Sequence, residues 1–266
     1  MRTMKQTITR KFVPSLLDKP VGILSTGIYI PSKKITNQYW TERVDTSDEW
    51  IINKTGIRER RFSDETENTS DMLVKAALNA LEKADITSDK IDVIIVGTFT
   101  PDYPLPSTAL IVKEKLKATN ALPIDLSQTA CAGLIYGLHL GTHLLQNPSY
   151  KNILVLCGDS FSKIINPQDR TSSVLVGDAA GGLILRRLKN QDGSGILSWD
   201  LDSKLSLELG ISHGGTQNPL TEDDFKKNRH KFFMNGKEVW NQATTALPTT
   251  LQKSLNKIQS QLNCAL

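Results

Sequence analysis

Two hydrophobic rhythms alternate along the chain. Residues 21–30, VGILSTGIYI, are rich in β-branched residues and close on Pro31 and the polar SKK, which predicts a first strand. Residues 69–85, TSDMLVKAALNALEKAD, carry apolar side chains at helical spacing, with Thr69 or Ser70 as the cap. Residues 91–100, IDVIIVGTFT, are almost continuously apolar over the length of a strand, as expected of a parallel strand covered on both faces. A proline-rich loop, PDYPLPS, follows. Ser107 then caps a helix over TALIVKEKLK, ALPIDLS forms a further strand, and KNILVLCGDS, residues 151–160, reads as the next buried one. This alternation predicts an α/β fold.

Residues 125–140, DLSQTACAGLIYGLHL, place Cys131 among small residues where a strand gives way to an apolar helix running to about Gln146. Leu134, Ile135, Leu138, Leu140, Leu144 and Leu145 recur at helical spacing, so Cys131 falls in the first turn. Free N–H groups and the macrodipole favour an anion there, and hence the reactive thiolate. Ala130, Ala132 and Gly133 leave room for a thioester or a pantetheine arm. Taken alone, the stretch fits a small cysteine buried in a tightly packed helix at least as well.

Residues 45–61, DTSDEWIINKTGIRERR, begin with capping and acidic residues and end with Gly56 and a basic cluster, a short helix leading into a charged loop. Trp50 and Lys54 stand at i and i+4. Either the indole stacks on a flat ring while the ammonium meets phosphate, or a half-buried indole is covered by the lysine stem. His139 and His143 have the spacing of a metal pair, but no HExxH motif or acidic third ligand accompanies them, so they read as packing or surface residues. In residues 166–188 the glycines of GDAAGG allow close backbone approach, yet they lack the βαβ setting of a dinucleotide site. GSGILSWDLDS predicts a strand opening a second structural half. After a polar stretch from about Lys204 to Lys231, EVWNQATTALPTTLQKSLNKIQSQL predicts an amphipathic helix kinked or broken near Leu247 by Pro248.

Composition narrows the function. At 39% hydrophobic residues, 266 residues bury a substantial core. The +4 charge, from 32 basic and 28 acidic residues spread along the chain, leaves no footprint for nucleic acid or membrane but allows phosphate-bearing small ligands. Cys131, Cys157 and Cys264 have no metal-ligand spacing and make no disulfide scaffold, which fits a reducing cytoplasm, with Cys157 structural. Residues 1–20 are basic without an apolar signal core and read as a flexible leader; no later run has the length of a membrane span.

In order along the chain, DTSDEWIINKTGIRERR, TACAG, INPQDR followed by VGDAAGGLIL, and MNGKEVW resemble the β-ketoacyl-acyl carrier protein synthases of type III, from about residue 21 onward. The resemblance implies a thiolase-like αβαβα layered fold, with residues 21–190 as the half carrying the nucleophile and 191–266 as the start of the second half. It also implies a homodimer. Cys131 would take an acyl group from acyl-CoA, and the acyl-enzyme would condense with malonyl-acyl carrier protein, losing carbon dioxide, to begin fatty acid or polyketide chains. No metal or redox cofactor is implied. Trp50 and Arg170 would flank the adenine of coenzyme A, while Gly236 and Trp240 would line the pantetheine channel. Lys54 stands where many members carry Arg, keeping the charge without the planar fork. Leu105 stands where some members carry a Phe that reaches the partner subunit's acyl pocket, so a longer or branched primer is expected.

The family condenses with a His and an Asn from HQAN-like and NTSA-like motifs, and with a glycine-rich C-terminal segment, none of which occurs in these 266 residues. His213 and His230 precede the last helix and are poor substitutes. The sequence therefore reads as truncated at its C-terminus, with condensation negligible, slow loading of Cys131 retained, and apolar sheet and helix surface left exposed. Two other readings stay open: a synthase-like acyltransferase that does not decarboxylate, and a noncatalytic remnant that binds coenzyme A or dimerises.

Overall fold

A computed structural model describes residue 17 and residues 19–127, 130–189 and 195–264 of the protein. The expected leader, residues 1–20, lies outside these residues except for Leu17, Lys19 and Pro20. The chain runs through β1 (Val21–Tyr29), β2 (Lys33–Thr36), α1 (Asn37–Thr41), α2 (Asp48–Thr55), β3 (Glu59–Phe62) and α3 (Thr69–Ala84). It continues with β4 (Val93–Thr98), α4 (Thr108–Leu116), β5 (Leu122–Ser127), α5 (Gly133–Leu144), β6 (Asn152–Asp159) and β7 (Ala179–Arg187). Last come β8 (Leu209–Gly210), α6 (Glu222–Lys226), β9 (Phe233–Met234) and α7 (Gly236–Cys264).

Five strands form a mixed sheet in the order β1-β7-β6-β4-β5. β4 runs parallel to both β5 and β6, while β7 is antiparallel to β6 and to β1. Every residue of β4 is buried, and the two-residue strand period divides its side chains between two layers. Ile94 and Val96 join Leu154, Leu156 and Ile184 against α3 and α4. Val93 and Ile95 join Ile153, Val155 and Leu185 on the other face, against α5. The continuous apolar pattern of residues 91–100 is thus that of a strand covered on both sides.

α5 meets the sheet differently from its leucine pattern. Its buried stripe is Gly133, Gly137 and Gly141, one turn apart, while Ile135 is exposed and Leu134, Leu138, Leu140 and Leu144 are only half-buried. A Cβ on Gly137 would lie 2.5 Å from Val155 Cγ1, so the helix backbone reaches a distance that no side chain permits.

Four local expectations need correction. The cap of α3 is Asn68, in a reciprocal capping box with Asp71; Thr69 and Ser70 turn inward, Thr69 Oγ1 donating to the Thr100 carbonyl (2.6 Å) and Ser70 Oγ to Asp102 (2.5 Å). The charged segment after Gly56 is the strand β3, paired with β2, because its alternation turns Arg60 inward. There Arg60 donates to the Ile35 carbonyl (3.2 Å), Asn37 Oδ1 (2.8 Å) and the Val174 carbonyl (2.8 Å), and burial lowers its pKa.

Residues 196–207, where GSGILSWDLDS predicts a strand, are irregular. One bond reaches the open edge of the sheet, the Ile196 N–H donating to the Val21 carbonyl (2.8 Å), and among the described residues no ladder continues from it. Side chains anchor them instead: Trp199 rests edge-on against His139 and His143, and Asp200 pairs with Lys257 of α7 at 2.6 Å. α7 itself runs unbroken through Pro248. The carbonyl that the proline deprives of a donor belongs to Thr244, an exposed residue whose carbonyl water can satisfy. The Thr245 and Thr249 hydroxyls bond to carbonyls one turn back, at 2.9 Å each.

Candidate active site

Strand β5 ends at Ser127, and a single 3₁₀ turn over Ala130–Ala132 leads into α5 with Cys131 exposed on it. The turn rests on the C-terminal end of β4, where a Cβ on Gly97 would come within 2.9 Å of the Gly133 Cα. Two facing glycines therefore set how closely the turn approaches the sheet. The thiol stands outside the carboxyl ends of the parallel strands, where open α/β sheets place their ligands. Thr129 of the TACAG turn lies outside the described residues.

Cys157, near the end of β6, is a different kind of thiol. Burial, reinforced by the charge of Asp159, pushes it up to about 11, so it stays protonated at neutral pH. Burial also raises the Asp159 pKa, although its Oδ1 accepts from the Phe99 N–H (2.6 Å), the Thr100 N–H (3.1 Å) and the Thr98 and Thr100 hydroxyls. This carboxylate ties the end of β6 to the start of the loop that carries Leu105. Asp102 and the Ser107 cap fix the rest of that loop, and Leu105 projects from it 85% exposed.

A second feature gathers several of the sequence candidates. Ser47 caps α2 by accepting from the Trp50 N–H (3.0 Å), and Gly56 ends the helix in the left-handed region at φ 75°. Trp50 is left on the outer face, opposite the buried Ile51. The Arg170 guanidinium lies over its indole, 4.7 Å from the ring centroid, with Asp45 at 3.8 Å. The turn bearing Arg170 is braced by Asp169, which accepts from Thr171 N–H and from the Thr171 and Ser172 hydroxyls. Burial alone would raise the Asp169 pKa, but these hydrogen bonds hold it below its ordinary value.

Trp50 and Arg170 line a cleft of 590 Å³ together with Val174, Met234, Gly236 and Lys237. Trp50, Arg170 and Gly236 are thus assembled across three distant segments. Lys54 is exposed outside the cleft, Trp240 stands 69% exposed on α7, and Leu105 and Cys131 lie elsewhere. Lys237 was not singled out from the sequence. Its only signal was its place directly after Gly236 in MNGKEVW, and it supplies the cleft's second cation.

His139 and His143 lie tilted against each other with ring centroids 4.5 Å apart and edge-on to Trp199, and burial with the neighbouring imidazole lowers the His139 pKa. Among the described residues no group of three ligating side chains could hold a metal. His213 approaches Asp224 at 3.6 Å, and the His230 ring lies tilted against Phe225 with centroids 4.7 Å apart. No described helix is long and apolar enough to cross a membrane.

Fold and site together define a thiolase-like α/β protein with an exposed cysteine at a strand-to-helix turn. The model of the 3-oxoacyl-[acyl-carrier-protein (ACP)] synthase III family matches residues 124–205, from β5 through the Cys131 turn to the segment over α5. The chain is 41% identical over 238 residues, 89% of its length and 71% of the relative's, to the β-ketoacyl-[acyl-carrier-protein] synthase III of Caldanaerobacter subterraneus subsp. tengcongensis. Its structure is similar to the crystal structure of 3-oxoacyl-[acyl-carrier-protein] synthase III from Aquifex aeolicus, with a TM-score of 0.73 and 32% identity over 90% of this chain and 72% of that one. The Pseudomonas aeruginosa synthase III gives a TM-score of 0.80 at 28% identity, over 91% of this chain and 72% of that one. The chain belongs to the 3-oxoacyl-[acyl-carrier-protein] synthase III family.

Proposed function

We propose that the chain accepts an acyl group from acyl-CoA onto the Cys131 thiol, the first half-reaction of a synthase that begins fatty acid or polyketide chains. The observation that carries this reading is the exposure of Cys131 on a turn that opens α5 at the carboxyl ends of parallel strands. The Cys131 sulfur attacks the thioester carbonyl, the carbon–sulfur bond to coenzyme A breaks, and the coenzyme A thiolate leaves and takes up the proton.

Trp50 and Arg170 offer a stacking platform and a guanidinium for an adenine and its phosphates, and Lys237 adds an ammonium in the same cleft. A base slotted between indole and guanidinium needs about 7 Å, two van der Waals contacts, so Arg170 swings outward from its 4.7 Å position as coenzyme A enters. Gly236 leaves the pantetheine path open, with Trp240 beyond it. The open edge of β5, with Leu122 exposed, supports a homodimer in which Leu105 reaches the partner's acyl pocket.

Condensation with malonyl-acyl carrier protein needs donors for the enolate oxygen. All four histidines of the chain are placed elsewhere, against Trp199, Asp224 or Phe225. The 266 residues by themselves therefore load acyl groups and condense them poorly. The test incubates this chain and Cys131→Ala with radiolabelled acetyl-CoA, with and without malonyl-acyl carrier protein. Label bound covalently to the wild type alone is expected. Equal label on Cys131→Ala overturns the nucleophile, and rapid condensation by these 266 residues overturns the half-reaction reading.

A further inference from the structure

The opposite end of the sheet, where β6 begins and β7 ends, carries cations that acyl transfer does not use. Register pairs Asn152 with Arg186 and Val21 with Arg187, so three strand ends converge there. An open cleft of 570 Å³ between them is lined by Lys19, Lys151, Arg186, Arg187 and Lys189, with no carboxylate among the described residues of its wall. Among the described residues none of these five cations forms an ion pair. Asp92, close by, spends one carboxylate oxygen on the N–H groups of Lys151 (2.7 Å) and Asn152 (2.8 Å).

The two arginines have different tasks. Arg187 is committed to the chain, donating to the carbonyls of Leu145, Asn147 and Pro148, each at 3.3 Å. Among the described residues Arg186 uses only its Nε, which donates to Asn152 Oδ1 at 2.7 Å. Asn152 is 6% exposed and is held in turn by its Nδ2 donating to the Lys90 carbonyl at 2.8 Å. A buried amide therefore fixes the guanidinium plane and leaves its two terminal nitrogens as a preset fork, the geometry that matches a phosphoryl group. Lys151 and Lys189 stand exposed at the rim as mobile point charges. Uncompensated like charges in one concave site raise the local potential for a multivalent anion.

We propose that this cleft binds a soluble small molecule bearing at least two phosphoryl groups, with Arg186 gripping one and Lys151 and Lys189 the other. The eight residues of β6, Asn152–Asp159, separate it from the end of the sheet where Cys131 stands, roughly 25 Å at the rise of a strand. It is a site apart from the acyl-transfer chemistry.

The test is calorimetric titration of the full chain with inorganic pyrophosphate at low salt, for the wild type and W50A/R170A, beside sedimentation with phosphatidylglycerol vesicles. Pyrophosphate is expected to bind. K151A/K189A, which removes no hydrogen-bonded group, should weaken it at least about tenfold without changing the melting temperature, as loss of two charge-assisted contacts requires. R186K, which keeps the charge and loses the fork, should weaken it as well. K226A/K253A, with charges removed elsewhere, should leave it unchanged. Absence of pyrophosphate binding overturns the proposal, as does equal weakening by K226A/K253A or full binding by K151A/K189A. Loss of pyrophosphate binding in W50A/R170A would assign the anion to the Trp50 cleft, and binding to vesicles without binding of free pyrophosphate would assign the cations to a membrane surface; either result also overturns it.

Discussion

Arg170 covers the indole of Trp50 at 4.7 Å, although 120 residues separate the two in the chain. An exposed cation–π contact of this kind is worth about 0.5–1 kcal/mol, so the pair is easily parted by a ligand that offers both groups more. Trp50→Ala is expected to raise KM for acyl-CoA about tenfold with kcat nearly unchanged, because stacking on a distant ring is binding common to ground and transition states. Arg170→Lys should produce a smaller rise, since it keeps the charge without the planar fork. Steady-state loading kinetics check both.

Gly97 and Gly133 meet where β4 passes under the Cys131 turn. Gly97→Ala places a Cβ 2.9 Å from backbone that cannot yield as a flexible side chain would, and is expected to cost about 1–3 kcal/mol. The displaced turn should also lose acyl loading, so thermal melting and label incorporation should fall together. Gly215→Ala, with nothing within 4 Å, should change neither.

Asp159 gives a pH signature. Its folded pKa lies above the ordinary value of 3.8, so the folded chain holds the proton more tightly than the unfolded one. The contribution to stability is then fully present below the unfolded pKa and is lost as pH rises through the folded value. Asp159→Asn removes the buried charge while its amide oxygen can still accept the four bonds that now end on Oδ1. The melting temperature of Asp159→Asn relative to the wild type should therefore climb as pH rises above the ordinary value of 3.8. A flat difference would show that the carboxylate is not held out of water.

Leu105, exposed on its loop, is expected to shape the acyl pocket of a partner subunit. Leu105→Phe should lower loading from isobutyryl-CoA relative to acetyl-CoA by about tenfold, the order that one or two methylenes are worth in an apolar pocket. Competition between the two donors, labelled differently, measures the ratio directly. Identical ratios would remove Leu105 from specificity.

Strands and helices that bury a continuous or periodic apolar face were legible because burial leaves its period in the sequence: β4, β6, α3 and α4 fall where the pattern puts them. The short pair β2 and β3 escaped because Lys33, Lys34, Arg60 and Arg61 look like a solvated loop until Arg60 finds three acceptors from distant segments. The irregular course of residues 196–207 escaped for the converse reason: after one bond from Ile196 to the edge strand at Val21, Trp199 and Asp200 tie the segment to α5 and α7 instead of to a ladder.

The α/β class, the strand-to-helix junction at Cys131 and the motifs by which the family is known were all readable from contiguous residues, whereas the exposure of Cys131 was not. It took the folded chain to show that glycines line the face of α5 nearest the sheet, that Trp50, Arg170, Gly236 and Lys237 share one cleft while Lys54 and Trp240 stand outside it, and that five cations converge at the far end of the sheet. Each of these depends on register and close approach between segments far apart in the chain, and no local period encodes such distances.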